Sequence, residues 1–327
     1  MIGDIKINEY IEKIIKNNIS KEILEINEIN GGWLTEKYKI KFDEFSIMIK
    51  IIEDKKIKRR NINIELATSL LELANQQGIK TPKIYRINNK LVNYDYKKRP
   101  IVCTEFIEGS FCKDYTNITK EEVYIIGKEV SKMRTCFDNN ARNLTFNKLS
   151  KQLMKNIISD YEKRIEVGVY TNNKKYLEDV IKQKKVIDAI DETFISSLKI
   201  GYCHGDLSSD NILFDKKGFR AITDFELANV SFVLIDIARI FLTFCLDDKL
   251  NINKEFLKEL LLGFKELNDI TIIDLCMGLR ILWCLEVNLW SKEAYYEDIN
   301  PPKVDKFISE INWITDNWFE LEKILEI

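Results

Sequence analysis

The 327-residue sequence predicts an α+β protein built as a small N-terminal antiparallel β-sheet with one main helix, followed by a larger, mainly helical part. Up to about residue 107, apolar and polar residues alternate in short runs, as they do in strands with one buried face. Beyond Thr119 the apolar spacing changes to the helical period. Only 4 prolines occur and no Pro- or Gly-rich linker intervenes, so the change of pattern itself marks the boundary, at EGSFCKDYTN. It divides the chain into 1–108 and 109–327.

The elements are read in order. An amphipathic helix near residues 7–18 precedes three alternating runs, ILEINEI, EKYKIKF and FSIMIKII. Gly31-Gly32 breaks the first from the second, and FDEF the second from the third. IELATSLLELANQQGI has helical spacing and ends at Gly78, a stop signal. KIYRI, KLVNYDY and PIVCTEFI read as three more strands. Three long helices then cover 118–137, 148–167 and 174–198. YCHGDLSSDNILFD interrupts them, followed by the strands NILFD and FRAITDF, and four further helical segments fill 231–326.

Bulk composition excludes several classes. Apolar residues at 45% and charged residues at 31% describe a soluble globular chain. A net charge of −2 gives no overall basic footprint for nucleic acid. The charge is uneven: from Asp247 onward there are 17 acidic and 9 basic residues, a balance of −8 that leaves +6 for 1–246. That division suits a cationic ligand in the acidic part and an anion in the basic part, or simply a solvated acidic surface. The 7 cysteines are scattered without a CxxC pair and with 1 histidine, which argues against zinc and for a reducing compartment. The N-terminus alternates charge with isoleucine, unlike a signal peptide, and no apolar run is long enough to span a bilayer. The expected location is the cytoplasm, without membrane or nucleic-acid partners.

The chemistry is concentrated in YCHGDLSSDNILFD, which holds His204, Asp206 and Asn211, and in Asp224 at the end of the next strand. Phosphoryl transfer needs one carboxylate to orient or deprotonate the attacking hydroxyl, and an amide oxygen with a second carboxylate to hold Mg²⁺ on a triphosphate. The five-residue step from Asp206 to Asn211 presents both on one side, and the hairpin returns Asp224 to the same place. Oxygen donors without thiolate suit Mg²⁺. The bland alternative makes Asp206, Ser208 and Asp210 turn and cap residues.

The first third supplies what a nucleotide site needs in addition. A turn at Gly31 and Gly32 could cover the phosphates, Lys50 stands on the third strand, and Glu65 on the following helix could fix that lysine. Glu53 is a nearer competitor for it, and a hairpin turn and a solvated lysine are the plain readings of the first two.

With these residues in view, the sequence resembles the aminoglycoside phosphotransferase and choline kinase-like superfamily of small-molecule kinases. CHGDLSSDNILFD, AITDFE, SIMIKII, GGWLTEKYKI and PIVCTEFIEG carry the resemblance, which spans about residues 28–240. It implies a bilobal protein-kinase-like fold, ATP or GTP as donor and Mg²⁺ as cofactor. Asp206 would be the catalytic aspartate, Asn211 and Asp224 the metal ligands, and Lys50 the contact to the α- and β-phosphates with Glu65 as its partner. Gly31 and Gly32 would lie over the phosphates, and the backbone of Glu105 and Ile107 would meet the nucleobase. His204 would organise the loop, and Asp236 would brace it. Two departures stand out. The metal-aspartate motif reads DFE rather than DFG, and a helix begins within about seven residues, leaving no room for a protein-kinase activation segment. The second favours a small-molecule acceptor.

Acceptor selection falls to the helical part. TIIDLCMGLRILWCLEVNLW places Leu279, Trp283, Glu286 and Trp290 on one face, with Tyr295, Tyr296, Glu297 and Asp298 downstream. Trp283, Glu286, Trp290, Glu297 and Asp298 are the substrate candidates: an acidic, aromatic-walled pocket for an ammonium group, or alternatively an aromatic core stripe with one satisfied glutamate. The expected function is O-phosphorylation of a cationic small-molecule acceptor, with an aminoglycoside-type antibiotic favoured over homoserine or a choline-like alcohol. A catalytically silent, spore-coat-type binding protein is the competing class.

Overall fold

A computed structural model describes residues 2–29, 34–111, 118–141, 149–297 and 300–327. The chain forms two compact units. The first comprises Met1–Cys112 with His204–Asp206 and Asp210–Asn229; the second comprises Lys113–Cys203, Leu207–Ser209 and Val230–Ile327.

In the first unit, α1 (Ile2–Asn18) precedes a five-stranded antiparallel sheet. Its strands are β1 (Glu25–Glu28), β2 (Thr35–Lys41), β3 (Ser46–Ile52), β4 (Val92–Tyr94) and β5 (Pro100–Glu105), in the order β1-β2-β3-β5-β4. Alternation sets the two faces. Tyr38 and Ile40 of β2 and Ile47, Ile49 and Ile51 of β3 bury themselves with Ile11 and Ile15 of α1. Thr35, Lys37 and Lys39 therefore share the other face with Met48 and Lys50, and Lys37 stands directly opposite Lys50 in the ladder.

Between β3 and β4 lie α2 (Asp54–Arg60) and α3 (Ile64–Gln76). The sequence pattern does not announce α2, because DKKIKRR has no buried residue and hence no apolar period. What favours it is charge: Asp54 in the first turn and Lys58, Arg59 and Arg60 in the last match the helix dipole. Helix α3 starts at Asn63, whose side chain accepts the Leu66 amide, and buries Ile64, Ala67, Thr68, Leu70, Leu71 and Ala74. KIYRI, expected as a strand, makes only isolated bridges, from Ile84 to Thr104 and from Ile87 to Lys90. A smaller sheet of β6 (Ser110–Phe111), β8 (Ile212–Asp215) and β9 (Gly218–Ile222) completes the unit.

The second unit is mostly helical: α4 (Lys120–Asn140), α5 (Leu149–Thr171), α6 (Lys174–Ala189), α7 (Glu192–Ser197), α8 (Ile235–Phe244), α9 (Lys254–Phe264), α10 (Ile272–Trp290), α11 (Ala294–Glu297), α12 (Pro302–Asn317) and α13 (Leu321–Leu325). Strands β7 (Ile200–Cys203) and β10 (Asn229–Phe232) pair with each other. The single helix expected over 174–198 is two, because Asp191 caps a new start through the Phe194 amide. The four expected C-terminal segments are likewise six among the described residues. Helices α4 and α9 approach so closely that a Cβ on Gly263 would overlap the Tyr124 carbonyl oxygen. No helix among the described residues is long and apolar enough to cross a membrane.

Candidate active site

His204 is wholly buried and spends both ring nitrogens on backbone. Nε2–H donates to the Thr223 carbonyl at 3.0 Å, and Nδ1 accepts the Asp206 N–H at 3.3 Å. Its ring stands edge-on to Phe225, centroids 4.4 Å apart. The Asn211 amide nitrogen donates to the Asp206 carbonyl at 2.7 Å, and the Asn211 carbonyl accepts the Thr223 N–H at 2.8 Å. The loop is thus tied to the turn after β9 at both ends. Gly205 makes this possible: its φ is +80°, and a Cβ there would meet the Leu227 carbonyl oxygen at 2.8 Å.

Within this fixed loop the Asp206 side chain is half-buried, and among the described residues its carboxylate takes no hydrogen bond or ion pair. The bonds at Asp206 belong to its main chain. A carboxylate held in place but left unengaged is available to a ligand.

Asp224 adopts the left-handed conformation, φ 61° and ψ 59°, which aspartate tolerates better than most residues. The twist turns its carboxylate onto the lysine face of the sheet. Lys50 Nζ donates to Asp224 Oδ1 at 2.8 Å, and Lys37 Nζ stands 3.9 Å from Oδ2. Glu226, two residues on, ion-pairs with Lys50 through Oε1 at 3.2 Å. Its Oε2 is bound by Lys56 of α2 and lies 3.4 Å from the Thr35 hydroxyl. Lys56 also donates to Thr35 Oγ1 at 2.9 Å. Three ammonium groups meet two carboxylates, a net charge of +1 on one face of the sheet.

Burial alone would push the Lys50 ammonium down, but the charges of Asp224 and Glu226 outweigh it and hold Lys50 above the ordinary lysine value. Burial likewise opposes ionisation of Asp224, and the Lys50 and Lys37 charges override it, keeping this carboxyl well below its usual range. Lys37 is pushed down by burial and by Lys50. Each close pair is worth about 5 kcal/mol at an effective dielectric near 20, against several kcal/mol of desolvation per ion. The cluster therefore adds little net stability, and its arrangement is better explained by a ligand than by the fold.

Glu65 is not Lys50's partner. It points outward from α3 and accepts from the Tyr94 hydroxyl at 3.1 Å, because the inward stripe of that helix runs through Ile64, Ala67, Thr68 and Leu71. Glu53, the nearer competitor, is committed with Glu36 and Asp95 to Arg99. Glu226 and Lys56 are the residues that sequence reasoning missed. The departure from DFG to DFE was the signal for Glu226; nothing comparable marked Lys56. Gly31 and Gly32 lie outside the described residues. Glu105 ends β5, with its N–H donated to the Lys83 carbonyl at 2.7 Å, and Ile107 follows outside any strand.

In the second unit, Asp236 is buried in the first turn of α8, and Thr243 of that helix donates to the Leu207 carbonyl at 3.2 Å. The substrate candidates on α10 divide. Trp283 is core: fully buried, donating to Thr315 Oγ1 at 2.9 Å and packed edge-on to Trp318. Glu286 and Trp290 are partly exposed. Glu286 is already engaged, by Arg239 and by Trp290 Nε1 at 3.0 Å. Arg239 also binds the buried Glu310 at 2.6 Å, so one guanidinium serves two carboxylates. Trp290 stacks against Phe307 at 4.6 Å, with Tyr295 at 6.4 Å. Glu297 ends α11, and Asp298 lies outside the described residues.

The α+β architecture is protein-kinase-like, and the chain belongs to the phosphotransferase enzyme family, whose model matches residues 25–268. Among solved structures it is similar to a spectinomycin phosphotransferase in complex with ADP and spectinomycin, at 15% identity and TM-score 0.61, covering 94% of this chain and 98% of that one. An amicoumacin kinase in complex with AMP-PNP and Ca²⁺ is similar at 12% identity and TM-score 0.64, covering 98% and 97%. A choline kinase from Streptococcus pneumoniae is similar at 19% identity and TM-score 0.58, covering 94% and 99%. At such identities the likeness shows the fold. No curated protein matches the sequence.

Proposed function

We infer that the chain transfers the γ-phosphoryl group of a purine nucleoside triphosphate to a hydroxyl of a small acceptor. The observation that carries this reading is the Asp206 carboxylate, held in a fully bonded loop yet unengaged, in the same unit as the lysine and carboxylate cluster. Asp206 orients the acceptor hydroxyl and takes its proton late in the transfer. Lys50 and Lys37 lie on the face that would bind the phosphates and offset the charge that builds there. The Glu105 carbonyl and Ile107 N–H serve the nucleobase edge.

The donor set fits Mg²⁺: the Asn211 amide and the Asp224 carboxylate, kept ionised by the Lys50 and Lys37 charges, offer oxygen ligands and no thiolate. Asn211 and Asp224 would hold the ion, which when bound offsets negative charge on the nucleotide. ADP and AMP-PNP in the similar structures favour ATP as donor, and a GDP complex of an aminoglycoside 2'-phosphotransferase keeps GTP in view.

For the acceptor, the −8 balance beyond Asp247 and the Trp290, Phe307 and Tyr295 cluster beside Glu286 favour an amine-bearing alcohol of the aminoglycoside class. A second reading has a specific basis. Arg239 offsets the Glu286 and Glu310 charges, and paired groups of both signs beside Trp290 suit a zwitterionic amino alcohol such as homoserine. Nucleotide consumption with ATP and with GTP, measured against aminoglycosides, homoserine and choline-like alcohols, separates these. Phosphorylated aminoglycoside by mass spectrometry is the expected product. Turnover confined to homoserine selects the second reading, and nucleotide binding without turnover on any acceptor would leave a binding protein instead of an enzyme.

A further inference from the structure

Lys50 touches two carboxylates, and under the proposed function one of them has other work. Asp224 would face the divalent cation, which competes with Lys50 for the same oxygens. A buried ammonium cannot be left without a counter-charge, since the uncompensated charge costs several kcal/mol. The carboxylate that remains is Glu226, 7% exposed, with Oε1 3.2 Å from Lys50 Nζ. Its Oε2 is fixed from the far side by the Lys56 ammonium, and the Thr35 hydroxyl lies 3.4 Å away. With one oxygen clamped, the other can address only Lys50. Helix α3 packs against the turn 225–227 but offers Ala67 and Thr68 inward and no carboxylate, while Glu65 bonds Tyr94. Lys56 also cancels the Glu226 charge, so that Lys50 keeps its positive charge for the phosphates.

We propose that Glu226, clamped by Lys56 and Thr35, is the positioning residue for Lys50, in place of a carboxylate from helix α3. The assignment rests on the nucleotide-transfer reading above. Helix α2, basic and without a buried residue, thereby gains a purpose, since it delivers Lys56 to the back of the phosphate site.

The test is calorimetric binding of AMP-PNP without acceptor, alongside melting temperatures of the nucleotide-free proteins. Glu226→Gln is expected to weaken binding about tenfold, the scale of one buried ion pair to a charged partner. Lys56→Met is expected to weaken it by a smaller factor, with Lys56→Arg restoring it. Because Lys56 acts through Glu226, the double variant should bind no worse than Glu226→Gln alone, and unchanged melting temperatures of the single variants separate positioning from a merely structural role. In any acceptor assay the nucleotide KM should rise more than kcat falls. Glu65→Gln should stay within about twofold of the parent. Wild-type-like affinity of Glu226→Gln, additive losses, or an equal loss in Glu65→Gln would each overturn the assignment while leaving the kinase reading intact. Failure of the unmodified protein to bind AMP-PNP overturns both.

Discussion

Asp206→Asn is expected to lower turnover about 10²- to 10⁴-fold, the range that a positioned general base contributes. AMP-PNP affinity should stay within about twofold. The contrast follows from which atoms of Asp206 do what. Its N–H bonds His204 Nδ1 and its carbonyl accepts from Asn211, so the loop depends on the main chain. The carboxylate contributes nothing to that network, and asparagine keeps its shape while losing its ability to accept a proton. Turnover and binding should therefore separate cleanly, and the melting temperature should not move. Near-normal turnover would remove Asp206 from the mechanism.

Asp224→Asn should be at least as damaging to turnover, by a different route. Asparagine tolerates the left-handed backbone that Asp224 requires, so the turn should survive. What changes is charge: three lysines would face one carboxylate in place of two, and the net charge of the cluster rises from +1 to +2. Metal-free nucleotide should bind as well as before or better, since its phosphates meet a more positive surface. The gain in affinity that Mg²⁺ brings should vanish, and with it several kcal/mol of transition-state stabilisation, which corresponds to about 10³-fold or more in rate. Titrating nucleotide affinity against Mg²⁺ in both proteins decides the matter. A variant that still gains affinity from the metal would transfer the ligand role elsewhere.

Much of this arrangement is legible in the sequence because it is local. His204, Asp206 and Asn211 lie within one loop, and a two-strand hairpin must bring Asp224 back beside it, so covalent spacing alone sets their relationship. Lys50 is legible for a related reason: strict alternation in SIMIKII sends it to the face opposite Ile47, Ile49 and Ile51. The pairing with Glu65 fails because it depends on the rotation of α3 about its own axis. That rotation is in fact encoded, since a stripe through Ile64, Ala67, Thr68 and Leu71 leaves Glu65 outside. Helix α2 carries no such stripe, and Lys56 could not be placed without three-dimensional pairing. Trp283 and Glu286 illustrate the same limit on α10. Three residues apart, they share a side of the helix in projection, yet one is sealed against Thr315 and Trp318 and the other reaches Arg239.

The fully committed histidine has a consequence for proton traffic. Histidine and cysteine are the side chains that ordinarily titrate between about pH 6 and 9. The chain has 1 histidine, and both of its ring nitrogens are bonded to backbone. Each of the described cysteines is buried, and burial pushes their thiols up: Cys103 and Cys276 to about 12, and Cys136, Cys203, Cys245 and Cys284 upward as well. Among the described residues, burial thus takes the cysteine thiols out of that range. Under the proposed function, the terminal phosphate of the donor and the amines of an amine-bearing acceptor would titrate in that window, so the pH profile of turnover would carry a mark of the substrate.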